Sequence, residues 1–409
     1  MKKYIVLCIG RRRNYDVASI LSKESMLDKL ITDFYCYGGK IKYEKLVRFF
    51  FPDYSIKAMQ SCYNPSIQDS SVISSWSTGF YQRFMLKIFP YSKHNAYIPA
   101  TKHLSKITAK TLENSNISAV YGYDTAAVEI FKTAKCKGFF NALEQCVAPR
   151  KAQIKMHKVF EHQYGQSFKK EIQCCEILEK REQEEWSLSD TILVPSSYVR
   201  NQMLLAGVQD NKIKLVPYGF EIPQNIPPIE TMINKRMENR EIFKILFVGN
   251  SSLRKGIQDI AKIAKILETE NIEFRIAGAI DSSIIKWFNI DKMKNIKLMG
   301  ILDKQRLYEE YQNADMFILP SYLEGSAMVI LEALSFGLPV VTTEESGSCI
   351  TSGIDGFVCK AGEVETMVSN IENLMNETEL RYKISHRTTE LLQNSSFQNY
   401  HKNLINALK

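Results

Sequence analysis

Two short runs carry residue types suited to an anionic leaving group. In the first, Val248-Gly249-Asn250-Ser251-Ser252-Leu253-Arg254-Lys255-Gly256, two cations lie between a strand-like run and a helical one. Glycine lets the backbone approach a ligand closely, and amides at a helix start attract anions. Arg254 would grip a diphosphate through its fork and Lys255 as a point charge. A solvated basic turn is the plain alternative. The order G-x-x-x-x-G-K-[ST] is missing, so the run is not a P-loop. The second run, Ser321-Tyr322-Leu323-Glu324-Gly325-Ser326-Ala327-Met328-Val329-Ile330-Leu331-Glu332-Ala333, spaces two glutamates eight positions apart. On one continuous helix they would differ by about 80°. With Glu324 in the preceding loop, both would face one cleft, with the amides of Gly325 to Met328 between them for a phosphate. The alternatives are a helix N-terminal charge for Glu324 and a boundary ion pair for Glu332.

The elements that must hold these runs follow a strand-then-helix rhythm. Tyr4 to Ile9 reads as a strand ended by Gly10, with a helix from Val17 to Leu30. Ile117 to Tyr121, Phe139 to Leu143 and Thr191 to Val194 read as further strands, with helices from Thr125 to Ala134 and along Lys155 to Ser187. Pro223 and Pro227-Pro228, then the polar stretch Asn234 to Glu241, predict a linker. A second series begins at Lys244 to Val248. It continues with helix Ile257 to Thr269, strands Glu273 to Ala277 and Ile296 to Met299, and helix Lys304 to Gln312. Strand Met316 to Leu319, a helix from Ala327 to Phe336 and strand Pro339 to Thr342 complete it. Ile257, Ile260, Ala261, Ala264 and Leu267 keep a helical period. Such alternation predicts two α/β domains, each a doubly wound parallel sheet, facing across a cleft. Ligands sit beyond the carboxyl ends of such strands, so the loops after Ile9, Val248 and Leu319 matter most.

A chain of 409 residues with 45% hydrophobic and 24% charged residues is neither disordered nor a disulfide-stapled scaffold. The 53 Lys and Arg against 45 Asp and Glu give a formal charge of +8, which favours an anionic partner. The basic runs are short, as in Arg11-Arg12-Arg13, and no RNA-recognition signature occurs, so nucleic acid is not expected. Nine cysteines without a C-x-x-C pair suggest neither zinc nor a disulfide framework, and fit a reducing compartment. Arg11-Arg12-Arg13 cuts the first apolar run too short for a signal peptide, and no apolar window of membrane-spanning length follows. A cytoplasmic protein is expected. The aromatic-basic stretches Lys45 to Phe51 and Arg83 to Phe89 suit docking on the inner face of an anionic membrane; ordinary core helices account for them equally.

Asn313-Ala314-Asp315-Met316-Phe317-Ile318-Leu319-Pro320-Ser321, Glu324-Gly325, Glu332-Ala333 and Gly337-Leu338-Pro339-Val340-Val341 together resemble the nucleotide-sugar signature of the retaining family 4 ("group 1") glycosyltransferases. Val194-Pro195-Ser196-Ser197 and Leu215-Val216-Pro217-Tyr218-Gly219 resemble the same family, and the likeness runs from about Asp190 to Gly362. It implies a GT-B fold; with the linker that composition places at 223–240, the acceptor-side domain is expected at 1–222 and the donor domain at 241–389. A terminal helix at about 390–409 would return to the first domain.

Roles come with the resemblance. Arg254 and Lys255 match the pair that holds the donor diphosphate, with Gly249 in the same loop. Glu324 matches the glutamate near the reacting centre, and Glu332 the one that binds ribose. Gly325, Ser326, Ala327 and Met328 match the loop whose amides meet the distal phosphate. Gly300 and Ile301 match the turn against the base, and Gly10 the loop near donor and acceptor. Three places depart from the pattern. Asn250 stands where an arginine is usual. Glu144 and Gln145 stand where many members offer a histidine. Glu345-Ser346-Gly347-Ser348-Cys349 replaces a glycine pair and downstream glutamate.

The resemblance thus implies transfer of a sugar, with retention, from a nucleotide-sugar to a glycan or lipid-linked acceptor of surface polysaccharide synthesis. No Asp-x-Asp element is present to hold a metal, and none is expected. A nucleotide-sugar epimerase, or a silent nucleotide-binding scaffold, would use the same frame.

Overall fold

Tyr4–Cys8 is apolar throughout and buried throughout, as a strand covered on both faces must be. The computed structural model describes residues 2–41, 59–89, 94–113, 117–224, 226–237 and 241–409. The stretch Lys45 to Phe51 lies outside them, as do positions 225 and 238–240 of the expected linker. Met1–Val194, Gln202–Val216 and His401–Lys409 form one unit, and Pro195–Asn201 with Pro217–Tyr400 a second.

The first unit holds β1 (Tyr4–Cys8), β2 (Leu27–Thr32), β3 (Val72–Ser74), β4 (Ala119–Tyr123), β5 (Phe140–Glu144), β6 (Thr191–Val194) and β7 (Ile213–Leu215). They form one parallel sheet in the order β3-β2-β1-β4-β5-β6-β7. At the chain's end, Leu408 O accepts hydrogen bonds from the Tyr4 hydroxyl at 2.7 Å and from Lys2 Nζ at 3.2 Å.

The second unit holds β8 (Phe243–Val248), β9 (Ile272–Ala277), β10 (Ile296–Gly300), β11 (Met316–Leu319), β12 (Val340–Thr343) and β13 (Phe357–Cys359), parallel in the order β10-β9-β8-β11-β12-β13. The helix Ile257–Ile266 turns Ile257, Ile260, Ala261, Ile263 and Ala264 inward, the face that its period predicts. These side chains join Phe247, Phe274, Phe317 and Val340 in one core.

Three expectations are corrected, and three short strands are added. The helix from Val17 stops at Lys23 and the chain returns as β2, with Leu30 and Ile31 fully buried beside β1. Leu27, Leu30 and Ile31 keep a spacing that also suits a helix, which hid the strand. The long helix of Lys155 to Ser187 is two helices, Arg150–Tyr164 and Lys169–Leu188, parted at Gly165. The short strands β3, β7 and β13 carry too few residues to show a pattern. The expected linker contains the helix Ile229–Met237, which buries Met232, Ile233 and Arg236 in the second unit. Arg236 donates to the carbonyls of Ala314 (2.8 Å), Tyr311 (3.2 Å) and Gly337 (3.3 Å), so a residue that reads as linker polarity is an internal clamp.

Candidate functional site

In the second sheet β8 and β11 are neighbours although the chain visits β9 and β10 between them. The strand order reverses there, and open parallel sheets bind ligands beyond the strand ends at such a point. The loop leaving β8 begins at Gly249, whose amide donates to Ala277 O at 2.9 Å. It continues through the turn Leu253–Lys255 to Gly256, which has φ +79°. A Cβ on Gly256 would stand 1.9 Å from Pro320 O, so only glycine lets this loop press against the chain leaving β11. The Tyr322 amide donates to Arg254 O at 2.8 Å and closes the junction.

Both cations then meet one carboxylate oxygen. Arg254 Nη1 lies 2.6 Å, and Lys255 Nζ 2.7 Å, from Glu324 Oε1, while Arg254 also donates to Leu323 O at 2.8 Å. The Lys255 and Glu324 side chains are 12% and 13% exposed and that of Arg254 is 41% exposed, so solvent reaches one flank. Both cations are thus neutralised by one internal carboxylate, and an outside anion can reach them only in its place.

The backbone around Glu324 is braced from three sides. Its amide donates to Glu345 O at 2.8 Å, and the Ala327 amide donates to Ser346 O at 3.1 Å. Gly347, at φ +62°, lies so near Gly325 O that a Cβ would come within 2.3 Å. The Ser196 hydroxyl donates to the same oxygen at 2.5 Å. The segment that departs from the family pattern, Glu345 to Gly347, is thus a buttress. One expectation changes with it: the Ala327 amide is committed to Ser346. Among the described residues the amides of Gly325, Ser326 and Met328 have no acceptor. They surround the start of the helix Met328–Ser335, where partial positive charge gathers.

Glu332 stands apart from Glu324. Its Oε2 accepts from the Tyr311 hydroxyl at 3.1 Å, and the Tyr311 ring stacks on Phe336 with centroids 5.0 Å apart. Burial raises the Glu332 pKa, against the pull of Tyr311 and Lys304. Gly300 closes β10 and accepts from the Gly278 amide at 2.8 Å; Ile301 beside it is 81% exposed, an apolar side chain left uncovered. Sequence reasoning missed Tyr311, Ser196 and the pair Tyr322–Asp259, joined at 2.8 Å. Asp259 is fully buried, which raises its pKa against the hydrogen bond from Tyr322. Ser196 and Tyr322 stand inside runs singled out above, but no run shows which residue each of these side chains holds, because each lies far along the chain from its partner.

In the first unit the expected residues stand at strand ends in a buried polar network. Gly10 follows β1, and its amide donates to Asp33 Oδ1 at 2.8 Å. Glu144 ends β5 and accepts from the Tyr121 hydroxyl. Gln145 is fully buried: its oxygen accepts from Trp186 Nε1 at 2.9 Å, and its nitrogen donates to Val147 O and Glu182 Oε1, both at 3.1 Å. Gln145 is therefore engaged as a brace, and Glu144 is the candidate of the pair. Around them Arg150 approaches Asp124 at 3.2 Å, with Arg12 at 3.9 Å from the same carboxylate. Glu185 accepts from the amides of Thr125 and Ala127, each at 2.7 Å. Burial pushes the Glu182 pKa up to about 7 and that of Glu185 to about 8. After β1, Arg13, Asn14 and Tyr15 take φ of 43°, 56° and 61° in succession, each at a cost of roughly 1–2 kcal/mol for residues other than glycine. Tyr15 OH to Phe34 O at 2.6 Å and Asn64 Nδ2 to Asn14 O at 2.7 Å hold the turn. Among the described residues no three His, Cys, Asp or Glu side chains gather as a set for a metal ion.

Comparison with known proteins extends this geometry. Residues 228–391 match the family described as glycosyl transferases group 1. The capsular polysaccharide biosynthesis glycosyltransferase CapM of Staphylococcus aureus is 24% identical over 219 residues, 50% of this chain. That match spans 57% of the relative's own length. Two solved structures overlay almost the whole chain. The lipopolysaccharide outer core galactosyltransferase WaaB has a TM-score of 0.60 at 16% identity, covering 99% of both chains. Anabaena Alr3699/HepE, in complex with UDP and glucose, has a TM-score of 0.61 at 13% identity, covering 100% of this chain and 99% of its own. Residues 228–391 thus match the glycosyl transferases group 1 family, and the chain carries a GT-B fold of two parallel-sheet units.

Proposed function

We infer that this chain is a retaining, metal-independent glycosyltransferase, moving a sugar from a nucleoside-diphosphate donor to a glycan or lipid-linked acceptor in surface polysaccharide synthesis. One observation carries the reading: Arg254 and Lys255 meet on one oxygen of Glu324, at 2.6 and 2.7 Å, in the chain just ahead of open amides at a helix start. Breaking a sugar–phosphate bond builds negative charge on the departing diphosphate and positive charge on the anomeric carbon. The two cations and the amides of Gly325, Ser326 and Met328 take the first charge, as preorganised donors do in a site of low dielectric. The diphosphate, which carries more charge than one carboxylate, displaces Glu324 from the cations. The freed carboxylate turns to the sugar beside the reacting carbon. Glu332, oriented by Tyr311, accepts from the ribose hydroxyls, and Gly300 and Ile301 lie against the base. The acceptor hydroxyl attacks from the face that the diphosphate leaves, and its proton passes to the leaving phosphate oxygen. One C–O bond breaks and one forms on the same face, which retains the anomeric configuration.

Gly10 and Glu144 serve the first unit's side of the reaction. Known relatives lend the pathway: CapM is named for capsule biosynthesis, and the HepE structure holds UDP and glucose. Nine free thiols suit a reducing cytoplasm. Peripheral contact with an anionic membrane fits the helix Trp76–Ile88, where Phe84 is 63% exposed beside Tyr81, Lys87 and Ile88. Among the described residues no helix is long and apolar enough to cross a membrane.

The decisive experiment is a thermal-shift panel of nucleotide-sugars on the intact chain, followed by an assay of nucleoside-diphosphate release with and without acceptor extract. A true donor raises Tm with concentration and is consumed faster with acceptor. If no nucleotide-sugar raises Tm, the donor assignment falls; conversion of the donor to its epimer would replace transfer by epimerisation.

A further inference from the structure

A second hollow in the second unit takes no part in the reaction drawn above. It lies between the segment Phe220 to Gln224, the outer face of the helix Lys304–Asn313 and the turn from Leu392 to Gln398, with a volume of about 1440 Å³. That exceeds the roughly 300–1,000 Å³ usual for a small-molecule site, and suits an extended ligand.

The lining has an unusual chemistry. Five of its fifteen residues are glutamine (Gln224, Gln305, Gln312, Gln393 and Gln398), although the whole chain of 409 residues has only 17. Among the described residues Gln305 makes one long contact, 3.5 Å to Glu309, and the other four side chains make no hydrogen bond. Each offers a donor and an acceptor side by side, the pairing that vicinal hydroxyls require. Phe220, Tyr308 and Phe397 add half-buried rings, and Ile222 is an exposed aliphatic wall. Charge argues against an anion: Lys304 is the one cation in the lining, against Glu221 and Glu309. Uncharged carboxamides set among apolar rings match an uncharged, polyhydroxylated chain.

We propose that this groove binds a neutral glycan, holding a stretch of oligosaccharide on the second unit independently of the donor site. Ordering several long glutamine side chains costs conformational entropy, so a single short ligand binds weakly, and a polymer with many equivalent stretches binds by avidity. The glycan is of the same chemical class as the acceptor inferred above, but its capture requires no transfer.

Affinity electrophoresis of the intact chain in gels containing glucan, galactan, mannan or no polymer tests the idea. At least one neutral polymer is expected to retard the protein. Gln305→Ala with Gln393→Ala, and separately Gln224→Ala with Gln398→Ala, should cut the retardation at least severalfold while donor-induced Tm shifts stay intact. Arg254→Ala with Lys255→Ala should do the reverse. Failure of all three polymers to retard the protein overturns the proposal. So does wild-type migration of the glutamine variants, loss of retardation in the cation variant, or equal retardation by anionic polygalacturonate.

Discussion

The two sheets reverse strand order at equivalent places, β1 beside β4 and β8 beside β11, yet they fill the loops there in opposite ways. Beyond β8 and β11 the charges stand at a partly open surface and satisfy one another through a pair that the proposed diphosphate would exchange. Beyond β1 and β4 the acids Asp124, Glu182 and Glu185 are buried, and the latter two are spent holding backbone amides in place. The lesson is that a parallel sheet only designates where a site belongs. Whether it is a binding centre or a scaffold depends on whether its polar groups keep partners that can be traded.

Breaking the exchangeable pair should have the largest effect. Glu324→Gln is expected to cost transfer on the order of 10²–10³-fold, the scale for losing a preorganised charged group at a reacting centre. Nucleoside-diphosphate binding should hold or tighten, by up to about fivefold, because the cations lose an internal competitor worth ~0.2–1 kcal/mol. Calorimetric titration beside a turnover assay checks both; weaker nucleotide binding would show that Glu324 supports the ligand instead of yielding to it.

Removing either cation comes next. Arg254→Ala and Lys255→Ala should each weaken donor binding about 10–100-fold, from hydrogen bonds to charged groups of about 1.5–3 kcal/mol. Equal weakening by substitution at Lys262, which faces Asp259, would mean that only bulk charge matters.

The scaffold half sharpens the contrast through pH. Glu185 keeps its proton in the folded chain up to about pH 8, whereas an unfolded glutamate releases it near pH 4.3. Between those values the folded state binds more protons, so stability falls as pH rises and levels off above about 8. Urea unfolding at pH 5, 6.5 and 8 should follow that slope, and Glu185→Ala should flatten it while lowering stability at every pH. A stability that climbs with pH over this window would contradict the assignment.

Tyr322→Phe should have the smallest effect. It removes the hydroxyl from Asp259 and costs about 1 kcal/mol. A slight rise in donor KM with kcat nearly unchanged would identify Tyr322 as a positioning residue; an unchanged KM would make the contact purely structural.

The rhythm of the second unit was legible because its strands are short continuous apolar runs and its helices keep a clean period, as in Ile257 to Leu267. The charged pair and the two glutamates announced themselves by interrupting those runs. What stayed hidden depends on partners distant in sequence. Nothing near Gly325 indicates that Ser196 grips its carbonyl, and nothing near Glu332 indicates Tyr311. Gln145 reads like a reactive substitute for a histidine until Trp186 and Glu182 are seen to consume it. β2 was misread because its apolar spacing serves two periods, and only pairing with β1 decides between them.

The clamp formed by Arg236 bears on how the molecule can be divided. A fragment beginning at Phe243 would contain all six strands of its sheet, yet it would lack the guanidinium that satisfies Ala314, Tyr311 and Gly337. Three inward-facing carbonyls would lose their donor, and Met232 and Ile233 would leave a bare apolar face behind. An autonomous second unit must therefore start upstream of Ile229, inside a stretch that composition alone would discard as spacer.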